Sequence, residues 1–272
     1  MVADKIKKIA IKIIPKILLR DYLYMLKKYR YIKKAKDFKG TNVYGTCCEK
    51  TFSSCNNFKI DEKYNDKNLF PAELSNVVCP CCVSMPRHRI LCDYLSQNKE
   101  RLFPEKSKTL VFAPVYSVYI WFKRNKLKYI SADLTEKTVD INIDIQCIPF
   151  TDNEFDFISC DHVLEHVPDY KRAVGELYRI IKPGGFVEIT VPLLPGLEKT
   201  YENESIVSYF DRAKAFGQYD HLRMFGGDFA NSLKEAGFVV SLYDGDDCDK
   251  RIMPLTAPAA YDYNKIFICK KP

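Results

Sequence analysis

The sequence predicts an α/β protein built on a doubly wound sheet, and three observations carry that prediction. From about Lys106 onward, apolar runs fit for buried strands alternate with amphipathic helical stretches. The segment "FDFISCDHVLEHVPDYKRAVGELYRIIKPGGFVEITVP", Phe155 to Pro192, reads as strand, loop, helix, glycine stop and second strand. The loop inside that unit concentrates Asp161, His162, Glu165 and His166 at a strand's carboxyl end, which is where open α/β sheets bind their ligands.

Taken in order, "TLVFAP" (109–114) is apolar enough for a central strand, and "VYSVYIWFKR" follows as a helix. "KYISADL" is a second strand ending at Asp133, about twenty residues beyond the first, the spacing at which a carboxylate meets ribose hydroxyls in nucleotide-binding sheets. A carboxylate suits that task because it accepts two hydrogen bonds from a vicinal diol. "INIDIQCIPF" supplies a short third strand with Asp144 at its end, and "FDFISC" is the fourth. "DYKRAVGELYRII" is a helix buried through Ala173, Val174, Leu177, Tyr178 and Ile181; "KPGG" stops it and "FVEITV" is the fifth strand. "DFANSLKEAGF" is a further helix, and "VVSLYD" with "KIFICKK" forms a terminal antiparallel hairpin. The alternation makes this body Rossmann-like.

The chain is long enough, at 272 residues, for one such core and a smaller module. Three parts are expected: a basic amphipathic arm over 1–40, a cysteine-rich module with a linking helix over 41–100, and the sheet domain over 101–272. Residues 1–40 hold 13 Lys and Arg against 3 Asp and Glu, whereas the remainder holds 29 against 32. The body is therefore slightly acidic, and nucleic acid is not an expected partner. In the arm, Ile6, Ile9, Ala10, Ile13, Ile17 and Leu18 recur at helical spacing opposite Lys5, Lys8, Lys12 and Lys16, with Pro15 as a kink. Two readings stand: an Ile face packed on the rest of the protein, or peripheral attachment to an anionic membrane surface. Lysines interrupt every apolar run and no small-residue cleavage site follows, so the arm is not read as a signal sequence. Eleven cysteines without such a sequence point to a reducing, cytoplasmic setting, with the inner membrane face as the place for the arm.

Six of those cysteines fall between Cys47 and Cys82. Cys79 and Cys82 form a Cys-x-x-Cys pair tightened by Pro80, and "YGTCCEKTFSSC" offers Cys47, Cys48 and Cys55 upstream. Two turns converging four thiolates are what a zinc ribbon needs, and all-Cys ligation makes a closed structural site. Gly45 stands where a cysteine would complete the first pair with Cys48. The expected ligands are Cys48, Cys55, Cys79 and Cys82, with Cys47 as an alternative and a metal-free remnant as the other reading. Next, "SMPRHRILCDYL" reads as the linking helix buried through Ile90, Leu91, Tyr94 and Leu95, with Arg87, His88 and Arg89 either on a substrate or at the helix start.

"DNEFDFISCDHVLEHVPD" with "ELYRIIKPGG" resembles the class I S-adenosylmethionine-dependent methyltransferases, of the type 11-like kind, over roughly residues 106–270. "CPCC", "RHR", "FAP" and "FGQYDHLRMFGGDF" resemble a bacterial subgroup that joins a cysteine-rich module to this fold, often beside surface-polysaccharide genes. The resemblance implies S-adenosylmethionine as cofactor but marks no substrate; a hydroxyl of a small molecule or glycan is the first acceptor hypothesis. It implies Asp133 for the ribose, Asp144 and Ile145 for the adenine, and Cys160, Asp161 and His162 around the methionine end. Glu165 and His166 fit the family's Leu-Glu-His spelling, His166 serving either the site or loop closure. Ala113 and Pro114 open the loop after the first strand, where "APVYSVY" departs from the usual glycine-rich turn; Tyr116 and Ser117 are the stand-in contacts.

"FGQYDHLRMF" (216–225) is the expected acceptor wall. His221 is read either as the general base, with Asp220 orienting it if the chain folds them together, or as a residue that bonds the loop after the fifth strand and shapes the pocket; Arg223 is the expected partner for an acidic substrate group. "PLLPGLEKTYENESI" reads as an acceptor loop with Tyr201 and Glu202 facing the substrate. Two other functions compete. One is an RNA methyltransferase, opposed by the acidic body and the lack of a "DPPY"-like or "NPPY"-like tetrapeptide; the other is a catalytically silent scaffold. A dehydrogenase is opposed by the absence of Gly-x-Gly-x-x-Gly after a strand.

Overall fold

The structure, a computed structural model, describes residues 36–59, 73–252 and 264–272. The expected helix of the basic arm lies outside the described residues. Two hairpins open the described chain: β1 (Val43–Gly45) pairs with β2 (Lys50–Phe52), and β3 (Asn56–Lys59) with β4 (Glu73–Val78). α1 (Pro86–Gln97) starts on a proline, whose fixed φ suits the first helical position. It buries Ile90, Leu91, Tyr94 and Leu95 as its spacing predicts, and the short α2 (Lys99–Leu102) continues it.

The sheet then builds through β5 (Thr109–Phe112), α3 (Tyr116–Arg124), β6 (Ile130–Asp133), β7 (Ile141–Asn142), β8 (Phe155–Asp161), α4 (Tyr170–Ile180) and β9 (Ile181–Thr190). β10 (Tyr201–Glu202), α5 (Tyr209–Phe216) and β11 (Arg223–Met224) form an outlying layer. α6 (Phe229–Glu235), β12 (Val239–Asp244) and β13 (Lys265–Lys270) complete the described elements. The seven strands run β12-β13-β9-β8-β5-β6-β7, with β6, β5, β8 and β9 parallel and β13 antiparallel to β9. The terminal hairpin is thus β12 with β13, as expected.

Two local outcomes differ from the sequence reading. β7 spans only Ile141–Asn142, because Asp140 turns inward to accept from the Ser131 N–H and hydroxyl, and a turn closes from Cys147 N–H to Asp144 O at 2.9 Å. "KPGG" ends α4 but belongs to β9, where it makes an irregularity against β8. Gly184 sits at φ +80°, which a side chain would strain.

Side chains alternate faces along each strand. Leu110, Ile158, Val174, Leu177 and Phe229 fill one face; Val111, Trp121, Phe122, Phe157 and Ile268 fill the other with Ile90, Leu91 and the cysteines. The cysteine-rich module is therefore continuous with the sheet core. Arg89, fully buried, ties them together: Nε donates to Ile252 O at 2.6 Å, and Nη1 to Val77 O at 3.0 Å and Ser84 O at 2.8 Å. No helix among the described residues is long and apolar enough to cross a membrane.

Candidate functional site

The chain leaves β5 toward β6 and β7 on one side and returns through β8 on the other, so the strand order reverses between β5 and β8. At such a reversal the two carboxyl-end loops part and leave a crevice. A cavity of about 290 Å³ lies there, lined from β5 by Ala113 and Val115 and from β8 by Asp161 and His162. Glu165 and His166 close it from the following 3-10 turn, Gln218 and His221 from the segment after α5, and Arg87 and His88 from the start of α1.

Three of the expected cofactor positions line this cavity: Ala113, Asp161 and His162. Ala113 and His162 hold φ of +44° and +53°, a conformation that costs an alanine about 1–2 kcal/mol. The missing glycine is thus replaced by a strained alanine. Asp161 accepts from the Thr190 hydroxyl and faces His88 Nε2 at 3.7 Å. Burial opposes its charge, but His162 and Arg87 with the Thr190 hydroxyl outweigh it and hold its carboxyl below the usual range. His88 accepts from Met85 N–H at 3.2 Å through Nδ1, which leaves its proton on Nε2, toward Asp161. Burial first, then Arg87, pushes His88 down to about 3, so it is neutral. Of the "RHR" triplet, Arg87 and His88 serve the cavity while Arg89 is structural.

Glu165, 1% exposed, accepts from His162 Nδ1 at 2.9 Å through Oε1, and its Oε2 has no hydrogen-bond partner. Burial opposes ionisation here too; the His162 contact and the neighbouring His166 and His221 outweigh it and lower the pKa. His166 Nδ1 lies 3.3 Å from Asp220 O and 3.4 Å from Asp220 Oδ2, and its ring meets that of His221 edge-on at 4.9 Å. His166 therefore does close a loop, as one sequence reading had it, while still lining the cavity.

The rest of the expected acceptor wall is corrected. His221 lines the cavity, but Asp220 pairs with His166; what orients His221 is the Phe216 carbonyl, 3.0 Å from its Nδ1. Burial lowers the His221 pKa, which keeps the ring neutral at neutral pH. Arg223 is unavailable to a substrate. It is 3% exposed, pairs with Glu202, and donates to Leu164 O and Val167 O through Nη1 and to Pro168 O through Nη2. It clamps the loop that carries Glu165 and His166, helped by Leu222 N–H on Glu165 O at 2.9 Å. Glu202 and Tyr201 belong to β10 and face β11, not the cavity.

The cofactor positions away from the cavity divide. Asp133, at the end of β6, accepts from Thr135 and Glu136 N–H through Oδ1, both at 2.8 Å. Asp144 is exposed, but both its oxygens accept from Gln146. Ile145 and Cys160 are packed into the sheet core, so neither presents its side chain to a ligand. Pro114 follows Ala113 without lining the cavity, and Tyr116 and Ser117 are buried in α3. The methionine-end position fits S-adenosylmethionine: the Asp161 carboxylate on the cavity wall suits a sulfonium or an ammonium. The adenine position is the one whose expected side chains are otherwise engaged.

The cysteine cluster is a separate centre. The thiols of Cys48, Cys79 and Cys82 lie within 4.8 Å of one another, Cys48 and Cys79 at 3.8 Å. Tetrahedral zinc, with Zn–S bonds of about 2.3 Å, spaces its sulfurs about 3.8 Å apart. Cys55 stands outside this set, its N–H held by the Asn76 side chain and its thiol pushed up to about 11 by burial. The further thiol facing Cys48 is that of Cys81. A Cβ at Gly45 would lie 2.9 Å from the Cys48 sulfur and 3.4 Å from that of Cys79, so the position read as a missing cysteine does point into the cluster. All eleven cysteines are free thiols.

Sequence reasoning passed over Glu188, fully buried in β9. A lone acid inside the β-branched run "FVEITV" was its signal.

A family profile described as a methyltransferase domain matches residues 86–243. A demethylmenaquinone methyltransferase of Anoxybacillus flavithermus is 33% identical over 135 residues, 43% of this chain and 57% of that protein. One from a Geobacillus species is 36% identical over 105 residues, 34% of this chain and 45% of the relative. The chain thus spans about half the length of the curated relatives it matches. Among solved structures, a SAM-dependent methyltransferase of Archaeoglobus fulgidus aligns over 68% of this chain and 94% of its own, with 14% identity and a TM-score of 0.47. The profile covers more than half of the chain and takes in the whole cavity lining, from Arg87 to His221. The chain belongs to the methyltransferase-domain family.

Proposed function

We propose that this protein is an S-adenosylmethionine-dependent methyltransferase whose acceptor is a hydroxyl of a small molecule, a glycan unit included. The observation that carries the reading is the cavity at the β5–β8 reversal, where two anionic carboxylates and four imidazoles surround space for a cationic donor and a polar acceptor. When bound, S-adenosylmethionine supplies a methyl group on a sulfonium, whose C–S electron pair leaves with the sulfur. Asp133 holds the ribose end, while Asp161 balances the positive charge. The acceptor oxygen forms the new bond to carbon, and its proton passes to an imidazole lining the cavity. The Arg223 clamp fixes the acceptor wall before binding, which lowers the entropy lost in aligning oxygen and methyl.

Calorimetric titration with S-adenosylmethionine and S-adenosylhomocysteine, beside Asp133→Ala, tests this. Micromolar-range binding that weakens about tenfold or more in the variant supports it, the loss expected for charge-assisted hydrogen bonds. No binding at millimolar cofactor overturns it in favour of a scaffold. We also propose one structural zinc at Cys48, Cys79 and Cys82 with Cys81. Elemental analysis of the purified chain finding no zinc in well-folded protein would discard that assignment.

A further inference from the structure

We infer that Glu165, His166 and His221 form a divalent metal site opening onto the cavity. One ligand atom of each lies within 4.8 Å of the others, the spread of donors that a single cation gathers. In each residue the outer atom is already engaged. His166 Nδ1 meets Asp220, His221 Nδ1 meets the Phe216 carbonyl, and Glu165 Oε1 meets His162. That leaves Nε2 of both rings and Oε2 of the carboxylate as the atoms to bind. Metal-bound histidines show this pattern, donating their other nitrogen to a carbonyl or carboxylate that fixes tautomer and ring direction.

The second observation is Glu165 Oε2 itself. Its side chain is 1% exposed and this oxygen has no hydrogen-bond partner, an arrangement that costs several kcal/mol for a charged group unless something else satisfies it. A cation at this point does so. The loop is also held as a ligand cage requires: Arg223 and Leu222 N–H fasten residues 164–168 to the segment carrying His221. Two imidazoles and a carboxylate select first-row transition cations such as Zn²⁺, Co²⁺ or Mn²⁺ over Mg²⁺ and Ca²⁺, which take oxygen ligands. Three protein ligands leave coordination positions open toward the cavity. That an acceptor oxygen takes one of them rests on the transfer reaction proposed above; the metal site stands on its own geometry. A hydroxyl bound there is more acidic than in water.

Co²⁺ titration of the full chain, followed by visible absorption, tests the site and separates it from the thiol cluster, since only thiolate ligands add sulfur-to-cobalt charge-transfer bands. The expected result is Co²⁺ with ligand-field bands and no charge transfer, retained in Cys48→Ser. Its affinity should fall at least about 100-fold in His221→Gln and in Glu165→Gln, the loss of a ligand exceeding that of an outer-shell partner. Glu165→Gln keeps an oxygen for His162 and so guards against misfolding as the cause. Co²⁺ binding that vanishes in Cys48→Ser alone, or that ignores both cavity variants, overturns the proposal. Titrating S-adenosylmethionine on the same samples distinguishes the two readings: cofactor binding without this Co²⁺ sinks the metal site only, and Co²⁺ binding without cofactor upholds it while sinking the transfer reaction.

Discussion

Glu188→Gln should make this protein more stable at neutral and mildly alkaline pH, and the gain should grow with pH. Glu188 sits in the middle of β9, between Ser159 of β8 and Ile268 of β13, with no solvent exposure. Ser159 Oγ lies 2.6 Å from Oε2, and Oε1 has no partner. Burial, reinforced by the Asp161 charge and only partly opposed by Ser159, pushes the carboxyl from 4.5 up to about 8. The folded protein therefore keeps a proton that the unfolded chain releases near 4.5. Between those values unfolding releases a proton, so rising pH favours the unfolded state by ~1.4 kcal/mol per pH unit. The stability this group contributes is complete below 4.5, is lost progressively, and is gone once pH passes about 8. The whole window is worth about 5 kcal/mol at most.

An amide removes the titration and keeps the shape, its NH₂ donating to Ser159 Oγ and its oxygen taking the unpartnered place. Urea unfolding of both proteins at about pH 5, 6, 7 and 8 reads the difference directly. The variant should gain on the wild type by roughly 4 kcal/mol across that range. Asp161 is held below the ordinary carboxylate range and titrates outside the window, so it leaves the comparison alone. A stability difference that stays flat from pH 5 to pH 8, within about 0.5 kcal/mol, would refute the argument that Glu188 is protonated in the fold.

Other perturbations follow from the same contacts. Arg223→Lys should cost about 3 kcal/mol in denaturant unfolding, because one ammonium cannot replace a fork that serves the carbonyls of Leu164, Val167 and Pro168; wild-type stability would show the clamp to be dispensable. Ala113→Gly relieves strain at φ +44° but loosens the unfolded chain, so stability should move by less than about 1 kcal/mol. A loss above about 2 kcal/mol would mean that the Ala113 methyl is needed for packing. Gly45→Ala should lower the thermal midpoint, since its Cβ falls 2.9 Å from the Cys48 sulfur and crowding of a packed core costs ~1–3 kcal/mol. An unchanged midpoint would show that the cluster yields.

The sheet was legible because its signals are periodic and local. Val111 and Phe157 face one side while Leu110 and Ile158 face the other, and that alternation is written in the strands themselves. Asp161 and His162 were legible for a related reason: they end a strand, and a strand's end is where such a sheet opens. The errors cluster where a side chain's partner lies far away in sequence. Asp220 next to His221 invites a dyad, yet Asp220 pairs with His166, 54 residues earlier, and His221 with the Phe216 carbonyl. Arg223 looked free for substrate because a guanidinium declares its charge and not its acceptors, which here are backbone carbonyls that no sequence pattern marks. Spacing alone offers Cys55, but a zinc-like set is a matter of converging vectors, and the β1–β2 turn aims Cys48 at Cys79 and Cys81 instead. Glu165 carries the same lesson with the opposite outcome. It was read as part of a spelling, and only three-dimensional closure by Leu222 and Arg223 turns it into a buried, half-satisfied carboxylate between two imidazoles. A charge so placed is costly unless a cation satisfies its second oxygen.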